Sequence, residues 1–449
     1  MSKLVCVDCL TDGYLQANFA DNDVDECDYC NEERPVVELD ELVSELEEAI
    51  RASFIYAEQP MSVVHHGYAP VGHSIYDVVE MVLGAEDTEL LSDLEAELRE
   101  QWSECDDDDP FLTEQTYASP QLTSDWAQMQ QSLQFESRLV NPVVGRVLEK
   151  IFAGIEALHT ATGPRSAITI AGPGQPLNAF KRARKFDDEE GMVTALKHPE
   201  KYLGPTPRGK GSAGRMNAAG ISVFYGATDD ETAIAEVRPP VGSWVVTATF
   251  EVIRPLRLLN LGDLGGIRPD STLSYFDPLR QEQAERCAFL RELQQQMLMP
   301  VMPDSADLGY LITQAIADFL ATNETLNLDG ILFPSVQVPK DASPGLNTIL
   351  FHKASGVEKA EDQDALEHVS LWESDEDQWI FYPQIWEGSP VTQEPATGYM
   401  GYVLAPEPSL RLNRNGIAIH KIQGVSFTYK SDPVRHEPWS EGARHYGIR

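Results

Sequence analysis

The sequence has few basic residues for its length. Its 449 residues contain 34 Lys and Arg against 72 Asp and Glu, which gives a formal net charge of -38. Charge of this sign repels phosphate backbones and anionic lipid surfaces, so we expect no direct binding to nucleic acid or to a membrane. An anionic ligand would need a local group of basic residues.

The sequence also lacks the segments that direct a protein out of the cytoplasm. No apolar run is long enough to span a bilayer, and "MSKLVCVDCL" at the N-terminus has no signal-peptide pattern. Six cysteines are too few for a disulfide scaffold in a chain of 449 residues. We therefore expect a cytoplasmic protein in a reducing environment.

Four of the cysteines form a recognisable pattern. Cys6 and Cys9 are spaced C-x2-C, and Cys27 and Cys30 repeat that spacing. Two such pairs can place four sulfurs around one tetrahedral ion, and a full set of cysteine ligands leaves no position for a catalytic water. The spacing predicts a structural zinc site. Two buried thiol pairs or a chance repeat are the alternatives.

Hydrophobic periodicity and connector composition predict an α+β protein in four parts. Apolar residues at three- and four-residue steps predict helices before about residue 165, and strand-like runs alternate with two helical stretches after it. The segment "TATGPRS" reads as the connector between the two regions. The predicted parts are a four-cysteine zinc-binding segment at 1–35, a helical regulatory or recruiting domain at 36–165, a mixed-sheet domain at 166–355 and a β-rich extension at 356–449.

The stretch "GRMNAAGISVFYGATDDETAIAEV", residues 214–237, predicts a loop, a strand and a short helix. The loop carries Arg215, the strand ends near Tyr225, and the helix carries Glu236. A tight strand-to-helix turn would place Glu236 near the carboxyl end of the strand, which is where ligands commonly bind in α/β domains.

Two further segments carry candidate site residues. "AFKRARKF" is a basic island with Arg182 among four Lys and Arg side chains, and "DGILFPSVQ" predicts a strand that ends at Ser335. Each residue has an ordinary alternative: Arg182 could pair with a nearby aspartate, Tyr225 could pack within a strand, and Ser335 could belong to a turn.

Taken in order, these motifs resemble those of the RES-domain family over roughly residues 166–355. The matching segments are "KRAR", "GRMNAAG", "VFYGA", "TAIAEV", "GILFPSV" and "NTILF". The N-terminal part is similar to the HEPN-like domain that is sometimes joined to RES domains. The HEPN ribonuclease signature, Arg followed after four to six residues by His, is absent from residues 1–165, so RNA cleavage is not assigned.

The resemblance implies a fold like that of ADP-ribosyltransferases and the activity of a bacterial toxin or defence effector that consumes NAD. It implies catalytic roles for Arg215, Tyr225, Glu236 and Ser335, and NAD binding by Arg182, Asn217, Arg215 and Tyr225. Cleavage of NAD by a glycohydrolase or phosphorylase is the first hypothesis. An ADP-ribosyltransferase that modifies one protein, or a catalytically silent zinc-containing binding module, is the alternative. A cognate antitoxin or regulatory protein is the expected partner, and self-association into a homo-oligomer is left open.

Overall fold

The computed structural model describes most of the chain. The described residues are 3–59, 69–85, 89–102, 111–114, 118–160, 163–298, 306–335, 345–358, 368–375, 378–386, 407–426, 431–432 and 434. Within them the structure is mixed α/β, with a mixed eight-stranded sheet and a helical N-terminal region, as predicted. None of the described helices is both long and apolar enough to cross a membrane.

The N-terminal region combines a small antiparallel sheet with helices. Strand β1 (Leu4–Cys6) pairs with β3 (Glu33–Glu38), which also pairs with β2 (Val24–Glu26). A second pair joins β4 (Phe54–Tyr56) and β5 (Leu112–Glu114). The helices are α1 (Gly13–Phe19), α2 (Leu39–Ser53), α3 (Ile75–Leu83) and α4 (Glu89–Trp102).

Local sequence signals account for these helices. Helix α2 buries Leu42, Val43 and Leu46 along one face, as the three- and four-residue spacing predicts. Helix α3 begins with a capping box between Ser74 and Asp77. Together these helices enclose a core of their own.

The central sheet follows in the second half of the chain. Its strands in chain order are β8 (Ile168–Ala171), β9 (Ala179–Phe186), β10 (Phe224–Ala227), β11 (Trp244–Val252), β12 (Leu256–Asn260), β14 (Gly330–Pro334), β15 (Leu346–Leu350) and β18 (Leu410–Lys421). In space the order is β18-β11-β9-β10-β15-β14-β12-β8, and among these described strands only β12 and β14 run parallel to each other.

Smaller elements surround this sheet. A three-stranded sheet contains β6 (His159–Thr160), β7 (Gly163–Ser166) and β13 (Ile267–Arg268), and a hairpin contains β16 (His368–Asp375) and β17 (Gln378–Trp386). The helices are α5 (Pro120–Phe135), α6 (Pro142–Phe152), α7 (Glu189–Leu196), α8 (Pro199–Tyr202), α9 (Asp230–Glu236), α10 (Pro278–Leu298) and α11 (Ala306–Thr322). Asn141 caps α6 as predicted, since its side chain accepts from the amides of Val143 and Val144.

The hydrophobic cores connect parts of the chain that the sequence analysis separates. Leu148 and Ile151 of α6 share one core with Ile316 of α11 and Ile331 of β14, so α5 and α6 pack with the central sheet. The strand β18, which lies in the predicted extension, forms an edge of that same sheet. The division of the chain at residues 165 and 355 stays a prediction, and part of 356–449 lies outside the described residues.

Candidate functional site

A cleft of about 390 Å³ lies where β9, β10 and β15 meet α9. Strand β10 lies between β9 and β15, and Tyr225 of β10 is paired with Ile349 of β15. The lining residues are Arg182, Ala183, Arg184, Arg215, Tyr225, Gly226, Ala233, Glu236, Val237, Arg238, Tyr310, Phe333, Asn347, Thr348 and Ile349.

Two arginines of β9, Arg182 buried and Arg184 partly buried, give the cleft positive charge. Arg182 is only 7% exposed, and its guanidinium donates to the carbonyl of Tyr225, while Arg184 donates to the carbonyl of Gly204 at 3.0 Å. Burial and, next, the charge of Arg184 lower the pKa of Arg182 to about 9, and burial also lowers the pKa of Arg184. Neither arginine pairs with a carboxylate in the part of the chain that the structure describes.

The aspartates that could have neutralised Arg182 are engaged elsewhere. Asp187 contacts Lys185 at 3.4 Å, and Asp188 accepts from the Gly191 amide at 2.7 Å at the start of α7. The pairing of Arg182 with a nearby aspartate, considered above, therefore does not occur.

Arg215 reaches the cleft from a loop that α10 and α11 hold in place. Its guanidinium donates to the carbonyl of Met297, near the end of α10. From α11, Thr313 donates to the Arg215 carbonyl at 2.5 Å and Gln314 donates to the Gly214 carbonyl at 2.8 Å. Burial lowers the pKa of Arg215, whereas the nearby Tyr310 and Glu236 raise it.

Tyr225 and Asn217 form a pair beside this loop. The phenol donates to the side-chain oxygen of Asn217 at 2.7 Å, and burial raises the pKa of Tyr225 to about 12. The Asn217 amide in turn donates to the carbonyls of Ser212, Ala218 and Ile221. Asn217 is 4% exposed and is not among the lining residues, so in this structure it shapes the loop behind Tyr225.

Glu236 is the last residue of α9, and Asp229 fixes the start of that helix by accepting from the Thr232 amide at 2.8 Å. The Glu236 carboxylate accepts from Nδ2 of Asn347 at 2.7 Å and lies 3.5 Å from the Ser335 hydroxyl. Ser335 is buried beside Glu236 but is not among the lining residues. It can contact the carboxylate from behind the cleft.

The structure thus places Arg182, Arg215, Tyr225 and Glu236 around one cleft. Their chemical roles stay predictions.

The cleft also contains residues that the sequence analysis did not select for the site: Arg184, Arg238, Tyr310, Phe333 and Asn347. Three of them had a signal in the sequence, because Arg184 belongs to the basic island, Phe333 lies in the "GILFPSV" motif and Asn347 begins the "NTILF" motif. Arg238 follows α9 with a left-handed φ of 44°, which no local pattern indicates.

The four N-terminal cysteines form a second candidate site. The sulfurs of Cys6, Cys9, Cys27 and Cys30 all lie within 4.8 Å of one another. Cys6 and Cys30 are 3.5 Å apart and Cys9 and Cys27 are 3.8 Å apart. A tetrahedral ion with metal–sulfur bonds of about 2.3 Å would separate the sulfurs by roughly 3.8 Å. The donor set and its spacing can therefore hold a metal ion.

The protein environment already favours one thiolate in this cluster. Burial acts to raise the pKa of Cys27, but hydrogen bonds from the backbone amides of Tyr29, Cys6 and Cys30 lower it to about 7. Burial raises the pKa of Cys6 and of Cys9. A bound cation would offset that cost, because it stabilises the deprotonated ligands.

Comparison with known families confirms the resemblance drawn from the motifs. Residues 181–372 match the family model of the RES domain, and residues 20–144 match that of HEPN/RES N-terminal domain 1. No curated protein and no solved structure matches the chain.

Proposed function

Taking residues 181–372 as a RES domain, we propose that this protein cleaves the nicotinamide–ribose bond of NAD and acts as a toxin or defence effector by depleting it. One observation carries the proposal: Arg182 is buried and Arg184 is partly buried beside the cleft, and neither has a carboxylate partner among the described residues. Buried charge without a counter-ion is unfavourable, so the site favours an anionic ligand. The pyrophosphate of NAD supplies such an anion.

In this proposal the arginines bind the pyrophosphate. Arg182, Arg184 and Arg215 all line the cleft. Guanidinium matches phosphate oxygens in fork geometry, and the match is stronger where water is excluded. The contacts of Arg215 to Met297 and of Thr313 to the Arg215 backbone would hold this side chain ready for the ligand.

Glu236 would act at the ribose. When the bond from C1′ to the nicotinamide nitrogen breaks, the electron pair goes to that nitrogen, and nicotinamide leaves as a neutral molecule. Its departure therefore needs no proton donor. A carboxylate beside C1′ can stabilise the developing positive charge and accept hydrogen bonds from ribose hydroxyls. For hydrolysis, a water oxygen then bonds to C1′ and its proton passes to solvent.

Tyr225 and Ser335 would support this chemistry. The phenol of Tyr225 is occupied by Asn217, which leaves the aromatic ring as the group that can contact nicotinamide. Ser335, at 3.5 Å from Glu236, would orient the carboxylate or the acceptor. We also propose that the fold of this domain is related to that of ADP-ribosyltransferases.

For the cysteine cluster we propose a structural zinc ion. Four cysteine sulfurs fill a tetrahedral shell, so the ion would stabilise the fold of the N-terminal sheet and would not activate water. The N-terminal domain would receive a cognate antitoxin or another regulatory protein.

The test is to incubate the purified protein with NAD, with and without inorganic phosphate, and to separate the products by chromatography. Nicotinamide with ADP-ribose indicates hydrolysis, and a phosphorylated ADP-ribose that forms only with phosphate indicates phosphorolysis. If a cell lysate is added, an ADP-ribose mass on a discrete lysate protein, detected by mass spectrometry, would assign transferase activity. Intact NAD with a folded protein would contradict the proposal and favour a silent binding module.

A further inference from the structure

Asn347 has a hydrogen-bond acceptor that no described residue uses. Its side chain lines the cleft and is 3% exposed. The Nδ2 atom donates to Glu236 at 2.7 Å, but the Oδ1 atom is buried and has no partner among the residues that the structure describes. A buried amide oxygen that accepts no hydrogen bond costs about 1–3 kcal/mol, so native structures seldom leave one unsatisfied.

The contact with Glu236 fixes which way the amide faces. If the amide were flipped, Oδ1 would meet the Glu236 carboxylate, and two acceptors would oppose each other. The observed orientation therefore reserves Nδ2 for Glu236 and leaves Oδ1 for another donor. Strand pairing holds the backbone of Asn347 between Ala227 and Phe333, so the side chain has a fixed origin.

We propose that Asn347 is a substrate-binding residue, whose Oδ1 accepts a hydrogen bond from an uncharged N–H or O–H donor on the nicotinamide riboside half of the ligand. The inference rests on the proposed function. The position follows from Glu236: a ligand group bound to that carboxylate lies next to the amide that donates to it. Two groups of NAD offer this chemistry there, the carboxamide of nicotinamide and a hydroxyl of the attached ribose.

This contact would give the site specificity that the arginines alone lack. Guanidinium groups bind any suitably placed phosphate or carboxylate. An unsatisfied buried acceptor instead rejects analogues without the donor, because the acceptor then stays unpaired. Asn347 would thus distinguish NAD from other dinucleotides that carry the same pyrophosphate.

The experiment compares three substrates in wild type and in Asn347→Ala. They are NAD, nicotinic acid adenine dinucleotide, which lacks the carboxamide N–H, and NAD with a 2′-deoxyribose on the nicotinamide side. For each, kcat/KM is measured from initial rates of base release, corrected for spontaneous cleavage. We expect wild type to disfavour one analogue by about tenfold or more, since one lost hydrogen bond is worth about 1.4 kcal/mol. That preference should disappear in Asn347→Ala.

If Asn347→Ala loses the preference against nicotinic acid adenine dinucleotide, the donor is the carboxamide. If it loses the preference against the 2′-deoxyribose analogue, the donor is the ribose hydroxyl. Asn413→Ala is the matched control, because Asn413 of β18 donates to Glu251 at 2.9 Å outside the cleft. This control should keep every wild-type preference, and thermal unfolding checks that both variants fold.

Two outcomes separate the inference from the proposed function. If wild type cleaves NAD but Asn347→Ala keeps both analogue preferences, the inference fails and the function stands. If folded wild type neither binds nor cleaves NAD, both fail.

Discussion

At the scale of single residues, the proposed binding of NAD depends most on the positive charge of Arg182 in the cleft. Arg182 is buried, it donates to the Tyr225 carbonyl, and its pKa is lowered to about 9 by burial and then by Arg184. In a chain with a net charge of -38, acids are plentiful, yet none of the described ones pairs with this guanidinium. The missing counter-ion is what a bound pyrophosphate would provide.

Arg182→Lys should weaken NAD binding while leaving the fold intact. Lysine keeps a positive charge but loses the planar fork, so we expect KM for NAD to rise about tenfold, which corresponds to about 1.4 kcal/mol, with a smaller change in kcat. Steady-state kinetics checks this. Arg254→Lys is the control, because Arg254 pairs with Asp329 at 3.1 Å outside the cleft. Equal KM values for wild type and Arg182→Lys would count against pyrophosphate binding here.

The effect of Arg182→Lys on KM for NAD should depend on pH. Burial lowers the pKa of the cation at this position, and it should likewise lower that of a lysine, which starts from a lower value than arginine. The lysine would therefore lose its charge first as pH rises. We expect the KM ratio of variant to wild type to grow between about pH 7 and about pH 9.

Single residues were predictable where a local pattern determined them. Tyr225 and Glu236 followed from one strand, one cap and one short helix, and all three elements occur in the structure. Asn217 was expected from the family resemblance but its hydrogen bonds within the loop were not, and Asn347 was not selected for the site, because the surroundings of both residues depend on the tertiary structure. Asn217 meets Tyr225 through a loop fold, and Asn347 meets Glu236 through the register of β15 against β10.

At the scale of elements, α9 positions Glu236, the only carboxylate among the described residues that line the cleft. The helix has seven residues and starts at the Asp229 cap, whose two oxygens accept from the backbone and hydroxyl of Thr232. So short a helix depends on its cap and on packing, since isolated helices of this length are unstable.

Asp229→Ala should therefore lower both stability and activity. We expect a loss of about 1 kcal/mol in the free energy of unfolding, together with a fall in kcat as Glu236 loses its fixed position. Urea unfolding and initial rates measure the two effects. Asp12→Ala is the matched control, because Asp12 caps α1 in the N-terminal region. It should lower stability by a similar amount without lowering kcat, and a similar loss of kcat in both variants would refute this role of α9.

Strand pairing limited what the sequence could predict about larger elements. The amphipathic helices α2, α6 and α11 follow from periodicity. The pairing of β18 with β11 joins residues more than 150 positions apart, and a strand-like pattern does not name its partner. Strand content was predictable in the extension, but its place in the central sheet was not.

At the scale of the whole molecule, Tyr275 and helix α10 link the N-terminal core to the core that α10 shares with the central sheet. Tyr275 packs against the N-terminal core and stacks on Phe54 at 5.9 Å, and the guanidinium of Arg280 lies 3.8 Å from the Tyr275 ring centre. Helix α10 contains Arg280 near its start and Met297 near its end. It therefore extends from the N-terminal contact to the loop of Arg215.

Metal analysis tests the proposed zinc site in the N-terminal region. Cys9→Ser should lose the one zinc ion per chain that we propose and should unfold at a lower temperature, because a structural ion contributes directly to folding. Elemental analysis and thermal unfolding measure these effects. Cys287→Ser is the control, since Cys287 is buried in the other core. It should keep its zinc, and wild type without bound metal after purification in zinc-containing medium would contradict the assignment.

The account as a whole depends on NAD occupying the cleft, and a crystal structure of Glu236→Gln with NAD tests this most directly. Glutamine keeps an oxygen that can accept from Asn347 but removes the charge, so the dinucleotide should remain uncleaved. We predict the pyrophosphate against the guanidiniums of Arg182 and Arg215, with the nicotinamide ribose beside residue 236. NAD bound at another surface, with this cleft empty, would contradict the account.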